Sequence, residues 1–262
     1  MFTFAKHFKP YKENLFRLQQ LQPRPIMSKK IKLAVFDIAG TTMKDDSNVA
    51  SAFQQAFLQH GFGTVSLAEA NEKMGYPKPL AIKEILSQHV AEIDQVTEAL
   101  VGEIHDDFVG NMIQYYKVAP GIAPMDDAER VLGALQQMGI KVGLDTGFSR
   151  DITDVILERV GWKNSPLIDI TVASDEVERG RPYPDMIRKM MAELGIDDAA
   201  EVIKIGDTEV DVNEGHNAGC AMSVAVTTGA YSEAELLKHN PSHLIHSLSD
   251  LIPLVKNHLG QI

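Results

Sequence analysis

The sequence has almost no cysteine. Cys220 stands alone among 262 residues, so no disulfide can form within the chain. That suits a reducing compartment, and the cytoplasm is the expected location. Basic residues are scarce relative to acidic ones: 25 Lys and Arg stand against 36 Asp and Glu, a formal net charge of -11. A nucleic-acid binder draws much of its affinity from neutralising phosphates, so that partner class is disfavoured. A phosphate-handling enzyme is not, because a bound metal ion inverts the local sign. No run of about 18 apolar residues occurs, which argues against a membrane-spanning helix. Repeats and low-complexity tracts are also missing. What remains is 44% hydrophobic and 23% charged, the balance of a globular chain. Its length suits one large domain, or a core carrying an inserted smaller one.

The start of the chain departs from the acidic trend. "MFTFAKHFKPYKENLFRLQQLQPRPI" holds five Lys or Arg and one Glu. Its apolar part is too broken for a secretory signal. An organelle-targeting peptide and a dispensable extension are both open, and Met27 favours the second by opening "MSKKIKLAVFD" just before a strand. Residues 1–28 are therefore set apart as an N-terminal extension.

Five short apolar runs end in polar or glycine-rich turns and read as buried parallel strands: 31–37, 141–147, 168–174, 201–208 and 221–229. Helical patterns at 126–139, 149–162, 183–196 and 210–220 lie among them. Alternation of this kind predicts an α/β fold with a doubly wound parallel sheet, which binds ligands at the carboxyl ends of its strands. Between the first two strands the alternation stops. Residues 46–117 show helical spacing, as at Val49, Phe53, Ala56 and Phe57, and no strand. They read as an inserted α-helical domain, leaving 29–45 and 118–262 as the core.

The strand ends carry a chemically coherent set. The first ends at Asp37, the second at Thr146-Gly147 and the fourth at Gly206-Asp207, with Asp211 four residues on and facing the same side. "SDEVERGRPYP" supplies Arg179 and Arg181. Each alone reads as a turn, a helix cap or a surface charge. In order, at matching ends of one pattern, they assemble a carboxylate nucleophile, a hydroxyl, a guanidinium and carboxylates for a metal ion. A carboxylate attacking phosphorus forms an acyl phosphate. Mg²⁺ held by Asp37 and Asp207 would relieve the repulsion between the two anions. Thr146 and a nearby cation would neutralise the phosphoryl oxygens. Gly40 and Gly147 would let backbone N–H groups approach the phosphate, with Thr41 beside them.

The motifs "FDIAGTT", "LDTG", "GRPYP" and "IGDTEVDVNEG" resemble those of the haloacid dehalogenase superfamily. "DIAGTT" and "GRPYP" resemble its phosphonatase branch. The resemblance implies a Rossmann-like core with a mobile helical cap, and an aspartyl-phosphate mechanism with Asp37 as nucleophile. It implies Thr146 and Arg181 as phosphoryl-binding residues, with Arg181 more central than Arg179. Metal ligands would be Asp37, the Ala39 carbonyl and Asp207, with Asp211 in support. A homodimer through the cap is the branch's pattern. Many relatives place a general acid where this chain has Ala39, so its leaving group needs no proton or receives one from elsewhere. Phosphonatases meet that need with a cap lysine that forms a Schiff base, two positions before a Met-Gly pair. Here Met74-Gly75 is preceded at that position by Glu72. Lys73 and Lys78 are the neighbouring amines, for binding substrate or for substituting.

Three readings stand. The first is a Mg²⁺-dependent phosphonatase-like hydrolase of a small phosphorylated or phosphonate metabolite. The second is a true phosphonoacetaldehyde hydrolase, and the third a non-catalytic regulatory or binding protein on the same fold. Outside this set, His239, His243 and His246 have a spacing that could ligate a metal, although a surface loop entering a short strand is the better reading. Cys220 is expected to pack as a small apolar residue.

Overall fold

The computed structural model describes residues 30–44 and 48–260; the N-terminal extension lies outside them. From β1 (Leu33–Asp37) the chain passes through α1 (Asn48–Gln59), α2 (Leu67–Glu72), α3 (Lys78–His89) and α4 (Glu98–Val118). It returns through α5 (Ala128–Gln137) to β2 (Lys141–Thr146), then α6 (Arg150–Arg159), β3 (Ile170–Ala173), α7 (Asp185–Leu194) and β4 (Val202–Gly206). The remainder is α8 (Glu209–Ala218), β5 (Met222–Val226), α9 (Glu233–Leu236), β6 (His243–Ile245) and α10 (Leu251–His258). All six strands are parallel, in the order β3-β2-β1-β4-β5-β6. The order reverses direction between β1 and β4, the switch point at which such sheets open a crevice. The histidine-rich segment enters the short edge strand β6, as its turn signal suggests.

Strand parity divides the interior. Leu33 and Val35 face Met186, Ile187 and Met190 of α7, while Ala34 and Phe36 face the cluster that includes Val131 and Leu135 of α5. Because both faces are covered, the strands read as continuous apolar runs rather than alternating ones. α7 and α8 end at Gly195 and Gly219, both left-handed, which is how the sequence stops each helix before the next strand. No helix among the described residues is long and apolar enough to cross a membrane.

From α1 to α4 the described residues contain no strand. The apolar residues of these helices belong to the same buried cluster as one face of the sheet. The link is aromatic: Phe108 of α4 meets Phe53 of α1 edge-on at 5.2 Å and lies over Phe148, which follows β2, at 6.4 Å. Tyr116 meets Phe148 at 6.1 Å. Fully buried and shared by both groups of helices, Phe108 is the side chain whose loss should be felt most. Phe108→Ala is expected to lower the unfolding free energy by about 3–5 kcal/mol in denaturant melts. It should also speed proteolytic cleavage between α1 and α4.

Candidate active site

Hydrogen-bond register places the first charges. Asp37 at the end of β1 lies opposite Asp145 of β2, and Val35 lies opposite Lys204 of β4. Side chains two apart share a face, so Asp37, Asp145 and Lys204 all project toward α7 and α8. Asp207 follows β4 directly. Asp211, in the first turn of α8, accepts the Thr208 N–H at 3.2 Å and so caps its own helix. Arg181 enters from the loop between β3 and α7. Its Nη1 lies 2.7 Å from Asp37 Oδ1, in contact with Asp211 Oδ1 and 3.9 Å from Asp145 Oδ1.

Asp37, Ala39, Thr146, Gly147, Phe148, Arg181 and Asp207 line one cavity, together with Met74 and Lys78 from the helical region between β1 and β2. The free space is about 30 Å³, room for roughly two waters. Lys78 opens α3 and is 3% exposed. Its Nζ lies 5.4, 6.0 and 5.8 Å from the ring centres of Phe53, Phe108 and Phe148. Each distance suits a cation–π contact.

The other candidates separate from this group. Lys73 pairs with Glu84 at 2.8 Å and lies over the Tyr76 ring, away from the cavity lining. Glu72 is exposed, and its carbonyl accepts the Tyr231 hydroxyl. Gly40 gives its N–H to the Met43 carbonyl at 2.8 Å, so that donor is engaged within the loop. The Thr41 hydroxyl donates to Asp207 Oδ1 at 2.7 Å and steadies that carboxylate from behind. Gly147 stays in the cavity lining and also admits a second backbone: a Cβ there would come within 2.7 Å of the Gly75 carbonyl oxygen. Its bareness lets the α2–α3 loop seat on the strand end. Arg179 pairs with Asp185 and stacks on Tyr183 outside this cavity. Among the described residues, His239, His243 and His246 form no metal-sized group: His239 pairs with Glu209 and His246 contacts Thr227. Cys220 packs beside the α7 cluster, and burial pushes its thiol up to about 12.

Sequence reading missed Asp145, Lys204 and Glu214. All three are 0% exposed. A signal was present, because Asp145 and Lys204 are charges inside strands that otherwise read as buried apolar runs. Lys204 contacts Asp145, Asp211 Oδ1 at 3.0 Å and Glu214 Oε2 at 3.3 Å.

Electrostatics explain what the cavity would accept. Among the described residues the buried charges are five carboxylates, Asp37, Asp145, Asp207, Asp211 and Glu214, and three cations, Lys78, Arg181 and Lys204. With all ionised, two negative charges are left over, which one divalent cation balances. Burial raises Asp37 well above the usual carboxylate range; Arg181 opposes the rise, and Asp211 and Asp207 add to it. Burial and Asp211 lift Asp207 to about 6. Burial would raise Asp211 too, but Arg181 and Lys204 hold it at about 2. Asp37, Asp145 and Asp211 each bring one oxygen within 4.8 Å of the others, a grouping able to hold a metal ion. Arg181 Nη1 already stands among those three oxygens. Asp37 and Asp207, both raised chiefly by burial, face the cavity beside Ala39.

Comparison with known proteins agrees with this geometry. Residues 34–225 match the family model described as haloacid dehalogenase-like hydrolase. Phosphonoacetaldehyde hydrolase of Bacillus anthracis is 31% identical over 231 residues, covering 82% of this chain and 84% of its own. That of a Bacillus cereus strain is 30% identical over 245 residues, 88% and 89% of the two chains. Among solved structures, a phosphonoacetaldehyde hydrolase-like protein from Oleispira antarctica superposes with a TM-score of 0.75 at 22% identity. That match covers 92% of this chain and 97% of the other. A hydrolase from Pseudomonas syringae gives 0.74 at 19%, covering 88% and 99%. At those identities the structural matches speak to the fold.

Asp207 could hold a cation only as the carboxylate, and burial with Asp211 lifts its pKa to about 6. Cation affinity is therefore expected to rise as pH passes upward through 6 and to fall below it. The folded carboxyl ionises later than the unfolded one at 3.8, so metal-free stability is full below 3.8 and is lost as pH rises through about 6. Thermal melts with and without magnesium, on either side of pH 6, check both signs. Asp207→Asn should raise the metal-free Tm by about 2–4 °C and abolish the magnesium response.

Proposed function

We propose that this chain, which belongs to the haloacid dehalogenase-like hydrolase family, is a magnesium-dependent phosphonatase-like hydrolase. It would act through an aspartyl phosphate on a small phosphorylated or phosphonate metabolite. One observation carries the reading: Asp37, Thr146, Arg181, Asp207 and Lys78 line a single cavity at the switch point of the sheet. Relatives named phosphonoacetaldehyde hydrolase, about 30% identical across most of both chains, support the substrate class.

Asp37 attacks phosphorus, and the bond to the leaving group breaks with its electron pair departing on that group. Water then hydrolyses the acyl phosphate and frees Asp37. The Thr146 hydroxyl and the Arg181 guanidinium donate to the phosphoryl oxygens as charge builds on them. Magnesium held by Asp37, the Ala39 carbonyl and Asp207, with Asp211 behind, would supply the charge that lets one anion attack another. A phosphoryl group needs more room than about 30 Å³, so residues 46–117 act as a cap that lifts to admit substrate and reseats on Gly147.

Ala39 provides no acid, and Lys78 is the group placed to compensate. Its ammonium can give the leaving group a proton, a contribution typically worth about 10²–10⁴-fold. A second reading is favoured by the burial of this amine at the cavity wall, since burial disfavours the charged form. As a neutral amine, Lys78 condenses with the aldehyde of phosphonoacetaldehyde, releasing water. The protonated imine then takes the P–C electron pair and leaves as an enamine, which hydrolysis returns to aldehyde and lysine.

The readings part in one set of assays: turnover of phosphonoacetaldehyde beside a phosphate-ester panel, with Mg²⁺ and with EDTA, and borohydride trapping. Asp37→Asn is expected to lower turnover by about 10³-fold or more and EDTA to suppress it. Unchanged turnover in Asp37→Asn across the panel would leave a binding or regulatory role. Covalent trapping that Lys78→Met abolishes and Lys73→Met preserves establishes the imine route. Ester hydrolysis without trapping establishes the proton-donor route.

A further inference from the structure

The mechanism above makes no use of the charges directly behind Arg181. Lys204 is wholly buried in the middle of β4, and its ammonium reaches across β1 to Asp145 on β2. It shares two carboxylate oxygens with Arg181 as ion-pair partners: Asp211 Oδ1, in contact with both, and Asp145 Oδ1, 3.9 Å from Arg181 Nη1. The close fit extends to the backbone. A Cβ at Gly206 would fall 2.1 Å from Asp211 Cγ, so the carboxylate lies flat on the strand between the two cations.

A buried ion pair is a poor way to gain stability, because desolvation offsets most of the attraction. This one is also incompletely satisfied. Asp145 Oδ2, both Glu214 oxygens and Arg181 Nε lack hydrogen-bond partners. Well-packed apolar residues would stabilise the same volume more, so the charges call for another explanation. Arg181 supplies one. It must rest on Asp37 and then turn its N–H groups to the phosphoryl oxygens. Held by Asp37, Asp211 and Asp145 together in a low dielectric, with no second cation, it would be trapped.

We propose that Lys204 is a positioning residue for Arg181: by sharing Asp211 and Asp145 it weakens their hold, so the guanidinium stays aligned yet free to bind a phosphoryl group. Asp145 anchors Lys204 and is also part of the hold on Arg181. The inference rests on the phosphoryl-transfer reading above.

The signs of two substitutions test it, with inorganic phosphate and magnesium as the probe in calorimetry on the full chain. Lys204→Met, neutral and of similar length, is expected to weaken phosphate binding by about 10-fold or more. Asp145→Asn relaxes the trap and should tighten binding, by about 2-fold or more. In an Arg181→Ala background, Lys204→Met should have no further effect on phosphate affinity. A merely structural role predicts a lower Tm in both variants, weaker binding in both, and the same loss with or without Arg181. Any of those binding results overturns the proposal. If Lys204→Met fails to fold, the sign for Asp145→Asn decides alone, and weakening overturns it. An unaltered chain that binds no phosphate with magnesium would overturn the phosphoryl-transfer reading itself. Binding with the wrong signs would sink only the role of Lys204.

Discussion

Five carboxylates share a water-poor sheet edge with three cations, and most of what is distinctive about this molecule follows from that imbalance. Buried charge is tolerated only when paired. Asp211 is paired twice over and stays ionised. Asp37 and Asp207 are not fully compensated, and burial drives both toward the protonated form. The site is therefore divided into a settled half, braced by Arg181 and Lys204, and an unsettled half that faces the cavity. An incoming cation improves the second without disturbing the first.

The insertion closes over the unsettled half. Its aromatic residues pack into the same cluster as the helices on one sheet face, and its loop rests on Gly147 without an intervening side chain. On the proposed reading, closure would exclude water and strengthen every interaction inside. It also delivers Lys78, among the described residues the only cation lining the cavity that does not come from the core. On the proposed reading, the chemistry of the leaving group belongs to the insertion and the chemistry of phosphorus to the sheet.

Much of this was legible in the sequence, for identifiable reasons. Short apolar runs marked five strands; Asp37, Thr146 and Asp207 were exposed as candidates because each ends a run where polar residues are needed, and Arg181 because it lies in the polar segment after the third run. Asp145 and Lys204 were overlooked because each sits within a run, where a single charge is easily absorbed into an apolar pattern. Only the pairing register shows that they share a face with Asp37. Lys73 and Lys78 could not be ranked from spacing along one helix, since they occupy two: Lys73 caps the end of α2 and Lys78 begins α3. Gly40 and Gly147 were recognised as positions needing glycine, but what approaches Gly147 is the insertion's own backbone. Contacts between distant segments leave no local trace in the chain.

The row formed by Asp37, Asp145 and Lys204 has a further effect, on folding fidelity. Parallel strands with apolar residues on both faces give little penalty for sliding by one residue, because either face can be buried. Three charges on one face remove that ambiguity. A one-residue slip of β4 would turn Lys204 toward the side now occupied by Ile203 and Ile205, among apolar side chains and away from its carboxylates. The misaligned sheet would carry an isolated buried ammonium, a cost no rearrangement of aliphatic packing could offset. The charges beneath the catalytic edge thus also act as an alignment key, giving an otherwise uniform hydrophobic sheet a single acceptable pairing.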